Sequence, residues 1–580
     1  MPTVSDSGLD GPLGAGTTLN FNGGTLEFTG SAGSTNRAFA LAAGGGAVGV
    51  TGSGALTLSG SVTGDGNFAK IGTGTVILTG ATNTVASYTI SQGTLQIGDG
   101  VFPGSIGLAS VVNNGTLVFN TPPGGAAFAN EFSGTGALVK SGAGTLTFSG
   151  SFGNTLSGTA TVNAGTLVLS TASGVNAIGG NLVIEAGGTV AYGTTTGQLS
   201  DHIPDTASIF IHGGTFGSGA GNTRAAPTAG VSDVVANVTM TGGTFLSGRV
   251  SSPVAPFTIT NSLAASGGEI LVQRAGIVSA NSVDVSGAAV LNFDGGSAVS
   301  GLESRLAVGS GGIRLDGTTV NMNAGPSAIA ASSLGSVVIL NGNVTATSVV
   351  TFNRISTQTA LRAQIDLNGA DRTFNVTGTM TVGAIGATVD VVNSGTTPGG
   401  IIKTGPGNLV LAGTNTYNGG TVIRDGALVL LGTISNSPSI VVQNGATFDV
   451  SGATAFSIAA TQTLGGNGTV IGNTAIAGTL SPGSGVGTLN FANSLTLGAT
   501  AVSEFQIEKS ASGIIADRTN VTGTLTYAGQ LNVTATGTPF VYLDTVTLFN
   551  AASFAGGFSS VNLPVLGPNL RWDTSRLGID

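Results

Sequence analysis

One short phrase recurs along this chain: Gly-Thr followed by Leu, Val or Phe, usually continuing as apolar, polar, apolar. It stands at Gly24-Thr25-Leu26, Gly74-Thr75-Val76, Gly93-Thr94-Leu95, Gly115-Thr116-Leu117, Gly144-Thr145-Leu146 and Gly165-Thr166-Leu167. It continues at Gly188-Thr189-Val190, Gly214-Thr215-Phe216, Gly243-Thr244-Phe245, Gly468-Thr469-Val470 and Gly478-Thr479-Leu480. Successive copies are often about 19 to 23 residues apart, the repeat length of a solenoid in which each copy is one coil. In such a coil, short strands turn Leu, Val, Ile and Phe inward and Thr, Ser and Asn outward. Glycine supplies the positive φ that a corner needs. Thr and Val favour the pleated conformation and good helix formers are scarce, so almost no helix is expected.

Composition agrees with a stack. Gly makes up 99 of 580 residues and Asp, Glu, Lys and Arg together only 7%, against about 25% in an ordinary soluble protein. Like charges one coil apart would repel, which favours an uncharged ladder. Disorder is the poorer explanation, because 41% of the chain is hydrophobic and those residues alternate in short runs that can bury a core. With 17 Lys plus Arg, a net charge of −9 and no basic stripe, nucleic-acid binding is not expected. No apolar run approaches the roughly 18 residues of a spanning helix, so this segment is not expected to insert in a membrane. There is no cysteine, which removes disulfides and thiolate metal sites. Met1-Pro2-Thr3 opens without a basic or apolar signal region.

The fold class expected is all-β, a single long right-handed parallel β-helix (β-solenoid) with a C-terminal β cap. Texture divides the chain into an N-terminal arm (1–16), regular coils (17–190), coils with longer loops (191–395), regular coils again (396–490) and a cap or assembly region (491–580). The third part holds most of the arginines: Arg224, Arg249, Arg274, Arg305, Arg314, Arg354, Arg362 and Arg372. The last carries Glu504, Glu508, Lys509, Asp517, Arg518, Phe549, Phe554, Phe558 and Trp572, more charge and larger rings, as a solenoid end requires.

The stretch Lys403-Thr404-Gly405-Pro406-Gly407-Asn408-Leu409-Val410-Leu411, running on through Asn415-Thr416-Tyr417-Asn418 to Gly426, resembles the autotransporter-associated β-strand repeat of bacterial surface proteins. Lys70 to Gly93 and Lys140 to Gly165 are similar copies. Gln198 to Ala207, Leu480-Ser481-Pro482-Gly483, and Phe558 to Ser575 resemble further phrases of such proteins. The resemblance implies a right-handed parallel β-helix exported to the cell surface and brings no catalytic residues with it. The long membrane barrel that closes an autotransporter is not seen before Asp580, so a released, self-assembling or cropped product is expected.

Candidate chemistry is sparse. Asp366 with Asp371 and Arg372, and Asp201 with Asp205 and His202, are the two groups that could serve a polysaccharide-cleaving site. Outward alternation already accounts for Asp366, and Asp201 and Asp205 bracket Pro204 in a turn-like setting. His202 and His212 are the only histidines, too few for a zinc site or a convincing triad. Gly64-Asp65-Gly66-Asn67 lacks the tandem copies that a calcium repeat needs. The Asn-x-Thr triplets at Asn237, Asn343 and Asn532 match a glycosylation pattern that chance supplies in so Asn- and Thr-rich a chain. Tyr88 and Tyr417 could line a sugar-binding face, although a turn role suffices for the corner at Tyr417. No catalytic, cofactor or metal residue is assigned, and no cofactor.

The function expected is that of an extracellular structural protein, forming a fibre or surface matrix by head-to-tail contact between copies. In that contact the coils from about Thr17 meet the C-terminal cap of the next copy, with Met1 to Gly16 as a joining arm. An adhesin or display rod binding surface polysaccharide is the alternative, and a polysaccharide lyase or hydrolase the third.

Overall fold

The computed structural model describes all residues except 194–198, 218–230, 247–256, 274–275, 295–302, 323–333, 355–361, 454–455 and 578–580. Arg224, Arg249, Arg274 and Gln198 therefore lie outside the described residues. Among those described there is no helix, and the strands pair almost wholly in parallel. The chain forms two compact units: Met1–Asp284 with Ala288–Asn292, and Val285–Gly287 with Phe293–Asp580. Each is a parallel β-solenoid.

In the first unit three ladders begin side by side. Thr18–Phe21 pairs with Ala38–Leu41, Gly24–Phe28 with Gly46–Val50, and Ala32–Thr35 with Ala55–Leu58. Every strand thus joins the strand one turn of chain later, as a solenoid requires and a meander forbids. The Gly-Thr phrases mark the pitch. Thr75, Thr94 and Thr116 face one another in register on one ladder. Thr145, Thr166, Thr189, Thr215 and Thr244 do so on another. Inward neighbours stack as well: Leu56, Val76, Leu95, Leu117 and Leu138 form one column, each at most 3% exposed. A buried side chain of this size contributes about 1.5–3 kcal/mol, and successive coils repeat the contact. Phe119 fills a wider part of the core against Phe128, Phe132 and Phe148, with ring centroids 4.8–5.9 Å apart.

The second unit repeats the scheme with a more variable coil. Thr379 faces Asn408 twenty-nine residues later, Asn408 faces Ala427 after nineteen, and Asn490 faces Asn520 after thirty. Its last coils depart from parallel pairing: Val502–Ser510 folds back on Gly513–Ala516 as an antiparallel hairpin. Lys509 at its tip bonds to Asp544 and lies over the Phe540 ring, and Phe540 meets Trp572 with centroids 5.0 Å apart.

Met1 to Gly16, expected as a joining arm, lies instead against the first coils. Thr29 N–H donates to Met1 O (2.7 Å), and Arg37, fully buried, donates through its guanidinium to the carbonyls of Ser5, Asp6, Leu9, Gly14 and Gly16. One cation holding five carbonyls fixes the segment in place.

Candidate functional site

Two inward devices recur, and both depart from the expectation that polar side chains face out. The first is a buried lysine. Lys70, Lys140 and Lys403, three of the four lysines in the chain, are wholly buried at inward strand positions. Each ammonium donates to three carbonyls, two on its own corner and one on the next coil. Lys70 reaches Ile71 O, Gly72 O and Gln92 O at 2.8, 2.6 and 3.0 Å. Lys140 reaches Ser141 O, Gly142 O and Ala164 O, all at 2.8 Å. Lys403 reaches Thr404 O, Gly405 O and Asp425 O at 3.0, 2.7 and 3.0 Å. Burial pulls all three lysines down to about 8, while the three acceptors favour the charged form. Glycine makes the room: a Cβ on Gly165 (φ +69°) would come within 2.5 Å of Gly142 O and 2.8 Å of Lys140 Nζ. The sequence signal is Lys-x-Gly-x-Gly, with a third glycine one coil on.

The second device is an asparagine at a corner, in Asn83-Thr84-Val85, Asn154-Thr155-Leu156 and Asn415-Thr416-Tyr417. Asn415 Oδ1 accepts from Val391 N–H (2.8 Å) on the coil before, and its Nδ2 donates to Thr433 O (3.0 Å) on the coil after. Asn83 and Asn154 do the same between Val62 and Ser105 and between Phe132 and Ala177. The side-chain amide acts as an extra peptide unit in the ladder where the chain turns away.

The sequence candidates are placed differently. Asp366 keeps the outward register of Ile339 and Val392, yet it is only 6% exposed, because the chain turns over it at the end of its strand and it accepts from Asn368 N–H, Ser394 N–H and the Ser394 hydroxyl. Asp371 accepts from Gly400 N–H (2.8 Å), and Arg372 donates to Leu367 O and Asn341 O. These groups serve backbone partners on neighbouring coils. Asp201 (φ +55°) and Asp205 are exposed, whereas His202 is buried, so that trio is divided. His202 instead packs with Tyr192 (centroids 5.7 Å) beside Asp233. Tyr192 Oη donates to Asp233 Oδ2 at 2.9 Å, and His202 N–H donates to the same oxygen at 3.2 Å. Burial raises the Asp233 carboxyl to about 7, against the hydrogen bonds from Tyr192, Val234 N–H and His202 N–H, which act downward. Tyr192 and Asp233 lie 41 residues apart and carried no sequence signal.

Asp65 is exposed in its turn. Tyr88 and Tyr417 are buried, so neither offers a sugar platform, and Tyr417 Oη shares a hydrogen bond with Thr421 Oγ1 (2.7 Å). Asn237, Asn343 and Asn532 bond within their ladders, to Ser208 and Ser262, to Thr373 N–H and to Asn562. Among the described residues no three His, Asp or Glu side chains converge as metal ligands would.

The passenger-associated-transport-repeat model matches residues 68–97, 138–169 and 401–430, each span starting two residues before a buried lysine and enclosing its asparagine corner. The chain carries autotransporter passenger repeats. Over 95% of its length, the chain is 29% identical to the adhesin BmaC autotransporter of Brucella suis, of which it spans 17%. It is 34% identical over 93 residues, 16% of the chain, to an extracellular serine protease of Serratia marcescens, of which it spans 7%. The chain thus covers a minor part of each relative. No solved structure matches it significantly.

Proposed function

We propose that this passenger chain works at the cell surface as a non-enzymatic adhesive scaffold, whose outward faces make the contacts. The observation that carries this reading is the division of polar groups. Buried lysine, asparagine and aspartate side chains hold coil to coil, and outside, the coils present Thr, Asn and Val ladders. Such a surface suits a broad, low-charge partner such as surface polysaccharide or another copy of the chain. The likeness to an adhesin supports it. The test uses purified chain on beads, scored for retention of cells and of neutral and acidic polysaccharides. Retention without turnover is expected, whereas glycan cleavage abolished by Asp366→Ala overturns the reading in favour of a lyase or hydrolase.

A second reading, copies joined head to tail in a fibre or matrix, is favoured by the strands Phe549–Gly556 and Ser560–Asn562, each paired on one side only among the described residues. Electron microscopy of concentrated protein tests it, with filaments expected and dispersed monomers against it.

A further inference from the structure

Seven Asn-Gly pairs stand in this chain, and at each the glycine nitrogen is able to attack the asparagine carboxamide, since no Cβ stands in its way. A backbone N–H that is hydrogen-bonded must first be opened, so the fold decides which pairs react. In five pairs that N–H is bonded. Gly23 N–H donates to Gly45 O (2.7 Å), Gly419 N–H to Gly399 O (2.8 Å) and Gly468 N–H to Val442 O (2.9 Å). Gly115 N–H donates to Asn113 Oδ1 (3.1 Å) and Gly369 N–H to Asn393 Oδ1 (2.6 Å). At Asn341-Gly342 the asparagine is the part that is held: its Oδ1 accepts from Asn368 Nδ2 (2.7 Å) and its main-chain O from Arg372 (2.8 Å). Gly342 is also buried, with Gly309 O and Gly312 N 2.5 Å from where a Cβ would lie. Asn444-Gly445 is the exception. It forms the tip of the bend between Ser439–Val442 and Thr447–Asp449, closed by Ala446 N–H on Gln443 O (2.9 Å). Both residues are exposed, and neither the Asn444 carboxamide nor Gly445 N–H has a hydrogen bond among the described residues. Gly445 sits at φ +81° with nothing within 4 Å of a Cβ position, so the peptide between the two has room to turn its nitrogen towards the carboxamide.

We propose that Asn444 is a site of spontaneous modification by water, converting to aspartate and isoaspartate as the folded protein ages. Gly445 N gives its proton to hydroxide and bonds to Asn444 Cγ. The Cγ–Nδ2 bond then breaks, and the side-chain nitrogen leaves as ammonia with a proton from water, closing a cyclic imide. Water adds to either imide carbonyl and the ring nitrogen recovers its proton as the ring opens. Addition at Cγ gives aspartate; addition at the main-chain carbonyl gives isoaspartate, whose backbone runs on through Cγ. In sum, one amide and one water become one carboxylate and one ammonium. Asp425 stands two residues past its strand in the preceding bend, as Asn444 does in its own, so the new charge meets a like charge one coil away, at about 4.8 Å. In that preceding bend Lys403 Nζ holds Asp425 O. An aged copy therefore differs from a fresh one beside a point where two coils are joined.

The test is incubation of the full chain at mildly alkaline pH, native and in urea, followed by peptide mapping by mass spectrometry and labelling of isoaspartate with an isoaspartyl methyltransferase. In the native chain the Asn444 peptide converts at least tenfold faster than each of the other six pairs. In urea, where no backbone bond protects them, the seven converge. Asn444→Gln removes the native conversion and the methyl label together. Native conversion at Asn444 no faster than at the bonded pairs overturns the proposal. Selectivity that persists unchanged in urea overturns it as well, because local sequence rather than the fold would then decide which pair reacts.

Discussion

Replacing Lys140 with methionine keeps the volume of the side chain and removes the ammonium, which isolates what the cation does. Ser141 O also accepts from Thr121 N–H (3.1 Å), so the loss falls mainly on Gly142 O and Ala164 O, each 2.8 Å from Nζ. A buried acceptor left without its donor costs about 1–3 kcal/mol, a gross penalty of about 2–6 kcal/mol for two. Relief from burying a charge offsets part of this, leaving about 2–3 kcal/mol of net local destabilisation. Because coils open locally rather than all at once, hydrogen exchange is the assay of choice. Gly144 N–H and Thr166 N–H, bonded to Thr121 O and Gly144 O, flank the cradle. Their exchange should quicken by roughly 30- to 150-fold, with amides in the second unit unchanged. Unaltered or slower exchange in Lys140→Met would refute the argument, because the lysine would then burden the core rather than bind two coils.

Gly165→Ala places a methyl against Gly142 O and Lys140 Nζ at positive φ and should destabilise the same coils by at least about 1–3 kcal/mol, read as an earlier urea transition in the first unit. Asn415→Ala strands Val391 N–H, while Thr433 O keeps the residue-415 N–H at 3.0 Å, and should cost about 1–3 kcal/mol, seen as faster exchange at Val391. The three lysines sit at about 8 when folded and near 10.4 unfolded. The unfolded chain therefore holds more protons between those values, and stability rises with pH across that window. A pH series of urea midpoints should show the rise in wild type and lose it in the triple Lys→Met variant. Asp233, raised to about 7, has the opposite sign: its contribution is fully present below about 3.9 and is lost as pH rises through 7, and Asp233→Asn should flatten the midpoint of the first unit between those limits. Native protein should resist trypsin at Lys70, Lys140 and Lys403, checked by mapping the cut sites.

The coil pitch was readable because Gly-Thr serves a corner and the strand that leaves it, so Thr145, Thr166 and Thr189 meet in register. Alternation likewise placed Leu95 and Leu117 inside. The same rule misjudged the polar residues. Lys140 and Asn415 lie inward although their residue types usually face water, since what they satisfy is backbone on another coil, and alternation along one strand says nothing about that. Asp366 does take the outward register, but the strand ends there and the turns that follow cover it, which alternation does not reveal. Tyr192, His202 and Asp233 meet only because two coils stack, and nothing local marks them. The hairpin at Val502–Ser510 escaped notice for a related reason: parallel and antiparallel strands share one side-chain alternation.

Coil length runs from sixteen to thirty-two residues while facing positions stay aligned, so added residues are taken up where the chain turns and the strands keep their partners. Lineages of such a protein can therefore lengthen or trim individual bends freely, whereas a one-residue insertion inside a strand would turn its side chains inside out. Variation among relatives should concentrate at the bends, leaving the lysine and asparagine positions as the fixed points of the design.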